Sequence, residues 1–359
     1  MIRQNEKDAV KRLSKAIEAD VSGPVRIMEV CGTHTMSIFR HGIRSLLPGK
    51  IELVSGPGCP VCVTSQEDID RMIALSSLKD VTVATFGDLV RVPGSGKSLA
   101  QARAEGADVQ IVYSPSDALD MALKNRHKKV VFLGVGFETT APTVAATLLQ
   151  AHAAKTDNFF VYSCHKLMPP ALDALFEHTD TKVDGLICPG HVSTIIGASA
   201  YEPIVRRFGL PCVVAGFEPL DILTAILLLV RQHSKGEARV ENCYERAVSQ
   251  KGNERARALM YKVFEPKGAR WRGLGEIDES GLSIRDEFSN LDAEKRFEIK
   301  TCESEEPKGC MCGQIIRAEA TPPDCPLFGK RCTPATPVGP CMVSSEGTCS
   351  AYFRYGNHA

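Results

Sequence analysis

The chain has 359 residues, with 43 basic and 43 acidic side chains, so its formal net charge is zero. No basic stripe interleaved with aromatic residues is found, which argues against nucleic acid as a partner. The longest apolar run, residues 225–230, is too short to cross a bilayer, and the N-terminus shows no leader pattern. We therefore expect a cytoplasmic protein of two or three domains with no membrane partner. Because thiols stay reduced in that compartment, the 14 cysteines indicate metal or redox chemistry rather than a disulfide framework.

The first predicted element is a helix over residues 8–19, and eight short β-branched runs follow it. These runs alternate with helical stretches, which is typical of βαβ units on parallel sheets. Eight strands before about residue 215 suit two sheets better than one. The runs lie at residues 25–30, 51–54, 81–85, 109–113, 130–133, 159–162, 185–187 and 212–215.

The predicted fold class is α/β, with two parallel-sheet, Rossmann-like domains and a smaller, mostly helical and loop domain. We assign residues 1–24 to an N-terminal helix that packs with the C-terminal domain, and residues 25–127 and 128–235 to the two α/β domains. Residues 236–359 form the last domain. The division at residue 128 rests on the basic run that precedes the fifth strand. Residues 225–264 have a helical pattern, and 265–306 are predicted as loop plus a short helix.

Cysteine, histidine and glutamate residues follow the ends of several predicted strands. The segments are Cys-Gly-Thr-His-Thr at 31–35, Gly-Pro-Gly-Cys-Pro-Val-Cys at 56–62, Gly-Phe-Glu-Thr-Thr-Ala-Pro at 136–142, Ser-Cys-His-Lys at 163–166, Pro-Gly-His-Val-Ser at 189–193 and Gly-Phe-Glu-Pro at 216–219. Ligands bind to open parallel sheets outside the carboxyl ends of the strands. These segments are therefore predicted to converge on one cleft.

Cys31 and His34 lie three residues apart at a strand-to-helix turn, where they could ligate a metal. The helix N-terminus would favour the thiolate of Cys31. The alternative is a buried cysteine beside a capping histidine. Glu138, at the end of the fifth strand, is either a catalytic residue or a helix-start residue stabilised by the helix dipole. His165 and His191 lie either in the cleft or in turns.

Cys59 and Cys62 have the CxxC spacing of a redox dithiol or of half a zinc site. The preceding Gly-Pro-Gly turn is expected to leave both sulfurs exposed, and the spacing permits a closed disulfide as well as an open dithiol. A structural turn without chemistry is the alternative. The predicted function is redox, because a tight turn that exposes two thiols has little purpose in packing.

Six cysteines crowd into the last 50 residues, on a stretch rich in glycine and proline. Thiolates held this close together repel one another unless a zinc ion or an iron–sulfur cluster lies among them. A metal centre is therefore predicted in the C-terminal domain. The residues are Cys310, Cys312, Cys325, Cys332, Cys341 and Cys349.

These motifs together resemble the HypD family of hydrogenase maturation proteins. The resemblance rests on the segments at 31–35, 56–62, 136–142 and 189–193, and on the two C-terminal blocks Asp-Cys-Pro-Leu-Phe-Gly-Lys and Met-Val-Ser-Ser-Glu-Gly-Thr-Cys between 324 and 349. It extends from about residue 25 to Gly356, with the blocks in the same order.

The resemblance implies a scaffold that assembles the Fe(CN)2CO unit of [NiFe]-hydrogenases, together with the small chaperone HypC and the cyano-group donor HypE. It also implies a third domain that carries a [4Fe-4S] cluster. Cys31, with His34 beside it, would hold the precursor iron together with a cysteine of the chaperone. Cys59 and Cys62 would be a thiol pair in the same cleft.

The family's cluster environment is similar to that of ferredoxin–thioredoxin reductase, where a redox cysteine pair lies against the cluster. We therefore assign Cys310, Cys325, Cys332 and Cys349 to the cluster, and Cys312 and Cys341 to a dithiol. A rival ligand set is Cys325, Cys332, Cys341 and Cys349, and spacing does not choose between the two sets.

Two other functional classes fit the cysteine pattern. A cluster-dependent thiol/disulfide oxidoreductase would act on a disulfide of a protein partner without any iron in the cleft. A zinc-stiffened binding module would be colourless and inert to reduction. The scaffold itself is expected to have redox activity, and the sequence does not decide whether it is an enzyme.

Overall fold

The computed structural model describes residues 4–179, 181–299 and 304–356. The predicted segments 1–24 and 236–359 extend beyond these ranges, because residues 1–3 and 357–359 are not among those described. The strands are β1 (Val25–Glu29), β2 (Ile51–Ser55), β3 (Val81–Thr85), β4 (Asp108–Ile111), β5 (Lys129–Gly134), β6 (Phe159–Ser163), β7 (Gly185–Pro189), β8 (Cys212–Ala215), β9 (Val240–Asn242), β10 (Phe264–Trp271) and β11 (Gly275–Ile284).

The α-helices mostly follow strands, as the alternating pattern predicts. They are α1 (Gln4–Asp20), α2 (Gly32–Arg40), α3 (Pro60–Val63), α4 (Gln66–Ser76), α5 (Gly87–Val90), α6 (Leu99–Ala104), α7 (Pro115–Lys124), α8 (Ala141–Ala153), α9 (Met168–His178), α10 (Gly190–Ile196), α11 (Glu202–Phe208), α12 (Pro219–Lys235), α13 (Glu254–Val263), α14 (Ala293–Arg296), α15 (Cys312–Ile316), α16 (Pro340–Val343) and α17 (Thr348–Tyr355).

Two parallel sheets form the body of the protein, which confirms the predicted α/β fold class with two Rossmann-like domains. The first sheet has the strand order β2-β1-β7-β8-β9, and the second has the order β4-β3-β5-β6. All eight strands predicted from the sequence are present, within about two residues of the predicted bounds. Helices cover the sheets, so most strand residues are buried on both faces, which explains their unbroken apolar runs.

Strand pairing divides the chain differently from the boundary predicted at residue 128. Strand β3 pairs with β4 and β5, and β5 pairs with β6, whereas β1 pairs with β2 on one side and with β7 on the other. The chain therefore leaves the first sheet after β2, builds the second sheet, and returns. Each α/β domain is assembled from distant segments, because hydrogen-bonded register and packing, rather than sequence order, decide which sheet a strand joins.

The N-terminal helix α1 packs on α12, at the outer face of the first sheet, rather than on the C-terminal domain as predicted. Ile17 and Val21 join the apolar cluster that contains Ile222 and Ile226 of α12. The Arg231 guanidinium pairs with Asp20 at 2.7 Å. The amphipathic pattern predicts the helix but not its partner.

Residues 264–284 form an antiparallel hairpin of β10 and β11, where the sequence predicted a loop and a short helix. Its buried residues include Phe264, Ala269 and Trp271. The hairpin packs Phe264 and Leu282 against the second sheet. A register shift between Lys267 and Ala269 breaks the alternation of buried and exposed residues, so the sequence shows no clear period of two. Within the described ranges, no helix is long and apolar enough to span a membrane.

The largest apolar cluster joins both sheets to the cysteine-rich C-terminal segment. It includes Met28 of β1, Val131 of β5, Cys312 and Cys341. The C-terminal segment is therefore packed into the interior of the molecule between the two α/β domains.

The turn that follows β2 lies directly against the turn that follows β1. A Cβ atom on Gly58 would lie 2.2 Å from the backbone nitrogen of Cys31, and the Gly32 N–H donates to the Gly58 carbonyl at 3.0 Å. Only glycine fits this approach, because the contact is with backbone that has no freedom to move aside.

Gly58→Ala should therefore lower the free energy of unfolding by about 1–3 kcal/mol, because the added methyl group displaces the Cys31 turn. The matched control is Gly96→Ala, at a loop position where nothing lies within 4 Å of the added Cβ; it should change stability by no more than about 0.5 kcal/mol. Urea unfolding under anaerobic conditions measures both. Equal effects of the two substitutions would contradict the close approach.

Candidate functional site

A cleft of about 560 Å³ opens at the carboxyl ends of both parallel sheets. It is lined by residues that follow β1, β2, β3, β4, β5 and β7, and by residues 344–346 of the C-terminal segment. The convergence predicted from strand ends is thus observed for the segments that contain Cys31, Gly58, Phe137 and His191. The 163–166 and 216–219 segments do not line the cleft.

Cys31 lies in the wall of the cleft, immediately before α2, and is 6 % exposed. Burial, and then the nearby Glu346 carboxylate, raise the pKa of the Cys31 thiol to about 12. Backbone N–H groups of Thr33 and His34 lower it by a smaller amount. Burial therefore opposes the thiolate that the helix N-terminus was expected to favour, and the role of Cys31 as a metal ligand stays a prediction.

His34 is fully buried one layer behind the cleft rather than in its wall. Its Nε2 atom lies 2.9 Å from the Gly216 carbonyl oxygen, so this nitrogen donates and Nδ1 keeps its lone pair. Nδ1 has no hydrogen-bond partner within the described part of the chain. Burial lowers the pKa of His34 to about 4, which keeps the ring neutral.

The Phe217 ring contacts both the buried His34 and a second histidine, His191, which lines the cleft. Its ring lies 4.8 Å from the ring of His34 and 4.0 Å from that of His191, measured between centroids. His191 is exposed at the cleft surface, and partial removal from water lowers its pKa. His191 is therefore the histidine whose side chain reaches the cleft that Cys31 lines. The sequence alone did not decide whether this residue lies in the cleft or in a turn.

Cys59 and Cys62 form a disulfide across the first turn of α3, with their Cα atoms 5.2 Å apart. Both are buried, at 6 % and 2 % exposure, so the prediction that the Gly-Pro-Gly turn exposes them is wrong. The C-terminal segment covers them: α16 packs against α3, and Ser344 Oγ lies 3.4 Å from Cys59 Sγ.

Residues 344–346, which we call the strap, join the two α/β domains across the cleft. On one side, Thr33 Oγ1 donates to the Glu346 carboxylate at 2.5 Å. On the other, the backbone N–H and hydroxyl of Ser345 donate to Asp88 at 2.9 and 2.7 Å. The strap thus places the Glu346 carboxylate beside Cys31 and the Ser344 hydroxyl beside Cys59.

The six C-terminal cysteines are gathered at one place under the strap. Cys312 Sγ and Cys341 Sγ are 3.2 Å apart, and Cys349 interacts with Cys341 and affects its pKa. Burial, together with Cys312, Cys325 and Cys332, raises the pKa of Cys310 to about 12. The members of the group are Cys310, Cys312, Cys325, Cys332, Cys341 and Cys349.

This donor set fits an iron–sulfur cluster better than a single ion. Among the residues described, no three histidine, cysteine, aspartate or glutamate side chains converge closely enough to hold one metal ion. Each thiolate of a four-iron cluster binds a different iron, so its ligands stand farther apart. Electrostatic interactions connect Cys310 with Cys312, Cys325 and Cys332, and Cys349 with Cys341, Cys312, Cys310 and Cys332. The choice between the two ligand sets stays a prediction, because Cys341 interacts with both Cys312 and Cys349.

Glu138 is buried outside the cleft, although its neighbours Phe137 and Thr139 line it. One carboxylate oxygen accepts the Met168 N–H of α9 at 2.9 Å, and the other has no partner in the part of the chain that the structure describes. The catalytic and helix-start alternatives for Glu138 both stay predictions, because this N–H belongs to α9 and not to α8, the helix that follows Glu138 in the chain. Burial raises the pKa of Glu138 to about 7.

The site also contains residues that the sequence did not single out, above all Asp88, Ser344 and Glu346. Asp88 follows β3 directly, so the rule that strand ends form the cleft could have found it. Ser344 and Glu346 lie between Cys341 and Cys349, in a block that was noticed only for its cysteines. No local signal shows that this block crosses the cleft.

The fold and the site define a class of protein: a two-domain α/β protein whose thiol-lined cleft is covered by a cysteine-rich segment. A family profile described as "Hydrogenase formation hypA family", HypD, matches residues 8–356. The chain belongs to this HypD family of hydrogenase maturation factors.

Individual relatives agree over nearly the whole chain. A hydrogenase maturation factor HypD of Azotobacter vinelandii is 47 % identical over 348 residues, covering 95 % of this chain and 92 % of the relative. That of Escherichia coli K12 is 46 % identical over 333 residues, covering 92 % and 89 %. A putative hydrogenase expression/formation protein of Methanocaldococcus jannaschii is 44 % identical over 357 residues, covering 99 % of each chain.

The raised pKa of Glu138 predicts a pH dependence of stability. Because its pKa is 4.5 when unfolded and about 7 when folded, the folded chain binds more protons between these values, and stability falls as pH rises through this window. Glu138→Gln should remove that decrease, which is at most about 3 kcal/mol.

Urea unfolding from pH 5 to pH 8 measures the difference between wild type and Glu138→Gln. Glu276→Gln, at an exposed position of β11, is the control and should follow the wild-type curve. If the Glu138→Gln and wild-type curves run parallel across the window, Glu138 does not titrate there.

Proposed function

We propose that this chain is a scaffold on which the Fe(CN)2CO unit of [NiFe]-hydrogenases is assembled, with a HypC-type chaperone and a HypE-type cyano-group donor as its partners. The observation that carries the proposal is the cleft itself, where the Cys31 thiol, the Glu346 carboxylate and the His191 ring meet. Membership of the HypD family supports the same process.

The groups in this cleft suit a soft, low-spin ferrous substrate. A thiolate is a good anchor for iron that carries strong-field cyanide and carbon monoxide ligands. Burial raises the pKa of the Cys31 thiol to about 12, so the thiol holds its proton tightly. Iron binding therefore has to displace that proton. The carboxylates of Glu346 and Asp88, which also line the cleft, favour a cation there.

The scaffold has two cysteine pairs that can store electrons by thiol–disulfide exchange, namely Cys59–Cys62 and Cys312–Cys341. A dithiol stores two electrons and releases them when it closes to a disulfide. A [4Fe-4S] cluster held by Cys310, Cys325, Cys332 and Cys349 supplies one-electron chemistry when it is bound. Because α16 carries Cys341 and packs on α3, the two cysteine pairs lie on touching helices.

A second candidate function is an iron–sulfur-dependent thiol/disulfide oxidoreductase acting on a protein partner. The 3.2 Å separation of Cys312 Sγ and Cys341 Sγ favours it, because two thiols this close can close to a disulfide after a small movement. This function predicts turnover of a disulfide substrate without added iron, whereas the scaffold requires iron in the cleft.

Cys31→Ser should abolish retention of the cyano-iron unit while leaving the fold and the cluster cysteines intact. Serine offers a hard alcohol of high pKa in place of a thiol. The measurement is the infrared spectrum of bound CN and CO in the complex with the chaperone. Cys243→Ser, at a half-buried thiol outside the cleft, should keep the bands at wild-type intensity. Unchanged bands in Cys31→Ser would rule out Cys31 as the iron ligand.

Cys59→Ala and Cys62→Ala should each block assembly of the cyano ligands while the chaperone still binds. Either substitution removes the ability of the pair to close, and a mild oxidant should reproduce the block reversibly in wild type. An in vitro maturation assay measures the yield of the CN-bearing complex, with Cys243→Ala as the control. Normal yields from both single variants would show that α3 is only a structural turn.

A further inference from the structure

The Cys59–Cys62 disulfide is shut off from solvent by the strap, and the proposed function does not say how a reductant reaches it. Pro60 and Val61 line the cleft, but the two cysteines between which they lie do not. Ser344, the first residue of the strap, is itself buried, and its Oγ atom lies 3.4 Å from Cys59 Sγ. Thiol–disulfide exchange requires the incoming sulfur atom to contact one sulfur of the disulfide. A thiol in solution therefore needs Ser344 to move before it reaches Cys59.

On the second α/β domain, one carboxylate oxygen holds the strap. Asp88 Oδ2 accepts the backbone N–H of Ser345 at 2.9 Å, the Ser345 hydroxyl at 2.7 Å and the Ser344 hydroxyl at 3.3 Å. Ser345 is exposed, so water can compete for its bonds to Asp88. Exposed hydrogen bonds that close over a buried group are the ones that break in local opening of a native protein.

On the first α/β domain, the strap is held by backbone packing. A Cβ atom on Gly32 would overlap the carbonyl oxygen of Glu346, so the two backbones are in direct contact. Thr33 Oγ1 donates to the Glu346 carboxylate beside this contact. The attachment that can open with the least rearrangement is therefore the one at Asp88, and opening there would draw Ser344 away while the Gly32 end stays in place.

We propose that the strap is a lid on the Cys59–Cys62 disulfide and that Asp88 keeps the lid closed, as a positioning residue that acts through Ser344 and Ser345. The closed lid separates the redox state of the pair from thiols in the surrounding solution. The open lid admits a dithiol reductant, which gives the pair two electrons and two protons. The Cys59–Cys62 bond then breaks, and a sulfur–sulfur bond forms in the reductant. This inference deepens the proposed function and rests on the redox use of the pair in it.

The test is the rate at which dithiothreitol reduces the pair in full-length protein, after the pair has been closed with a mild oxidant. Samples are quenched with iodoacetamide and digested with trypsin, which cuts after Lys50 and Arg71. The fragment 51–71 contains Cys59 and Cys62 and no other cysteine, so its mass reports how many pairs are reduced. Wild type should react on the order of a hundredfold more slowly than the same protein unfolded in urea.

Asp88→Ala should accelerate the reduction by about tenfold or more, because three hydrogen bonds of the closed lid are lost. Asp88→Asn keeps one acceptor oxygen and should accelerate it less. Asp117→Ala is the matched control in the same domain. Its carboxylate also accepts two backbone N–H groups, of Tyr113 and Ser114, but not from the strap, so the rate should stay at the wild-type value.

The dependence of the rate on low urea concentrations separates a lid from a general loss of stability. Opening of a short segment exposes little surface, so the rate in Asp88→Ala should change little with urea. Reduction through global unfolding would instead rise steeply with urea, and that result would overturn the proposal. Equal rates in wild type and Asp88→Ala would overturn it too, as would wild-type reduction as fast as in the unfolded protein.

If Asp88→Ala lacks the circular dichroism spectrum of the folded chain, Ser345→Ala decides. This variant loses only the hydroxyl bond to Asp88 and should still accelerate the reduction, and an unchanged rate would overturn the proposal. A pair that does not close with the oxidant would overturn the redox part of the proposed function as well. A pair that closes, but whose reduction ignores residues 88 and 345, would overturn this inference alone.

Discussion

The functional site depends on one constraint: the cysteine-rich segment has to cross the cleft between the two α/β domains. The strap makes this crossing with hydrogen bonds to Thr33 on the first domain and to Asp88 on the second. Because the strap lies between Cys341 and Cys349, whatever holds these cysteines also sets the position of Glu346 beside Cys31. The cleft and the cluster of C-terminal cysteines are thus parts of one structure.

Burial on both sides of the strap favours the protonated form of the thiols. The pKa of Cys31 and that of Cys310 both rise to about 12, chiefly because these side chains are removed from water. In the proposed function, metal binding supplies the charge that makes the thiolates stable, so loading of the site and proton release are linked.

The strands and the cleft were predictable because their signals are local. Short β-branched runs such as Val81–Thr85 are typical of buried strands, and parallel strands bring their carboxyl ends to one edge. The pairing of β7 with β1 was not predictable, because it depends on which faces pack together after the chain has left the first sheet. The burial of Cys59 and Cys62 was mispredicted for a similar reason: its cause is Ser344, a residue 285 positions away.

Amide hydrogen exchange of cluster-loaded and chelator-treated protein tests the coupling between the metal centre and the cleft most directly. If the strap is held by the cluster cysteines, removal of the cluster should lower amide protection in residues 340–349 and also in the Cys31 and Asp88 turns, which the strap joins. Loss of protection confined to the cysteine-rich segment, with the two turns unchanged, would contradict the account.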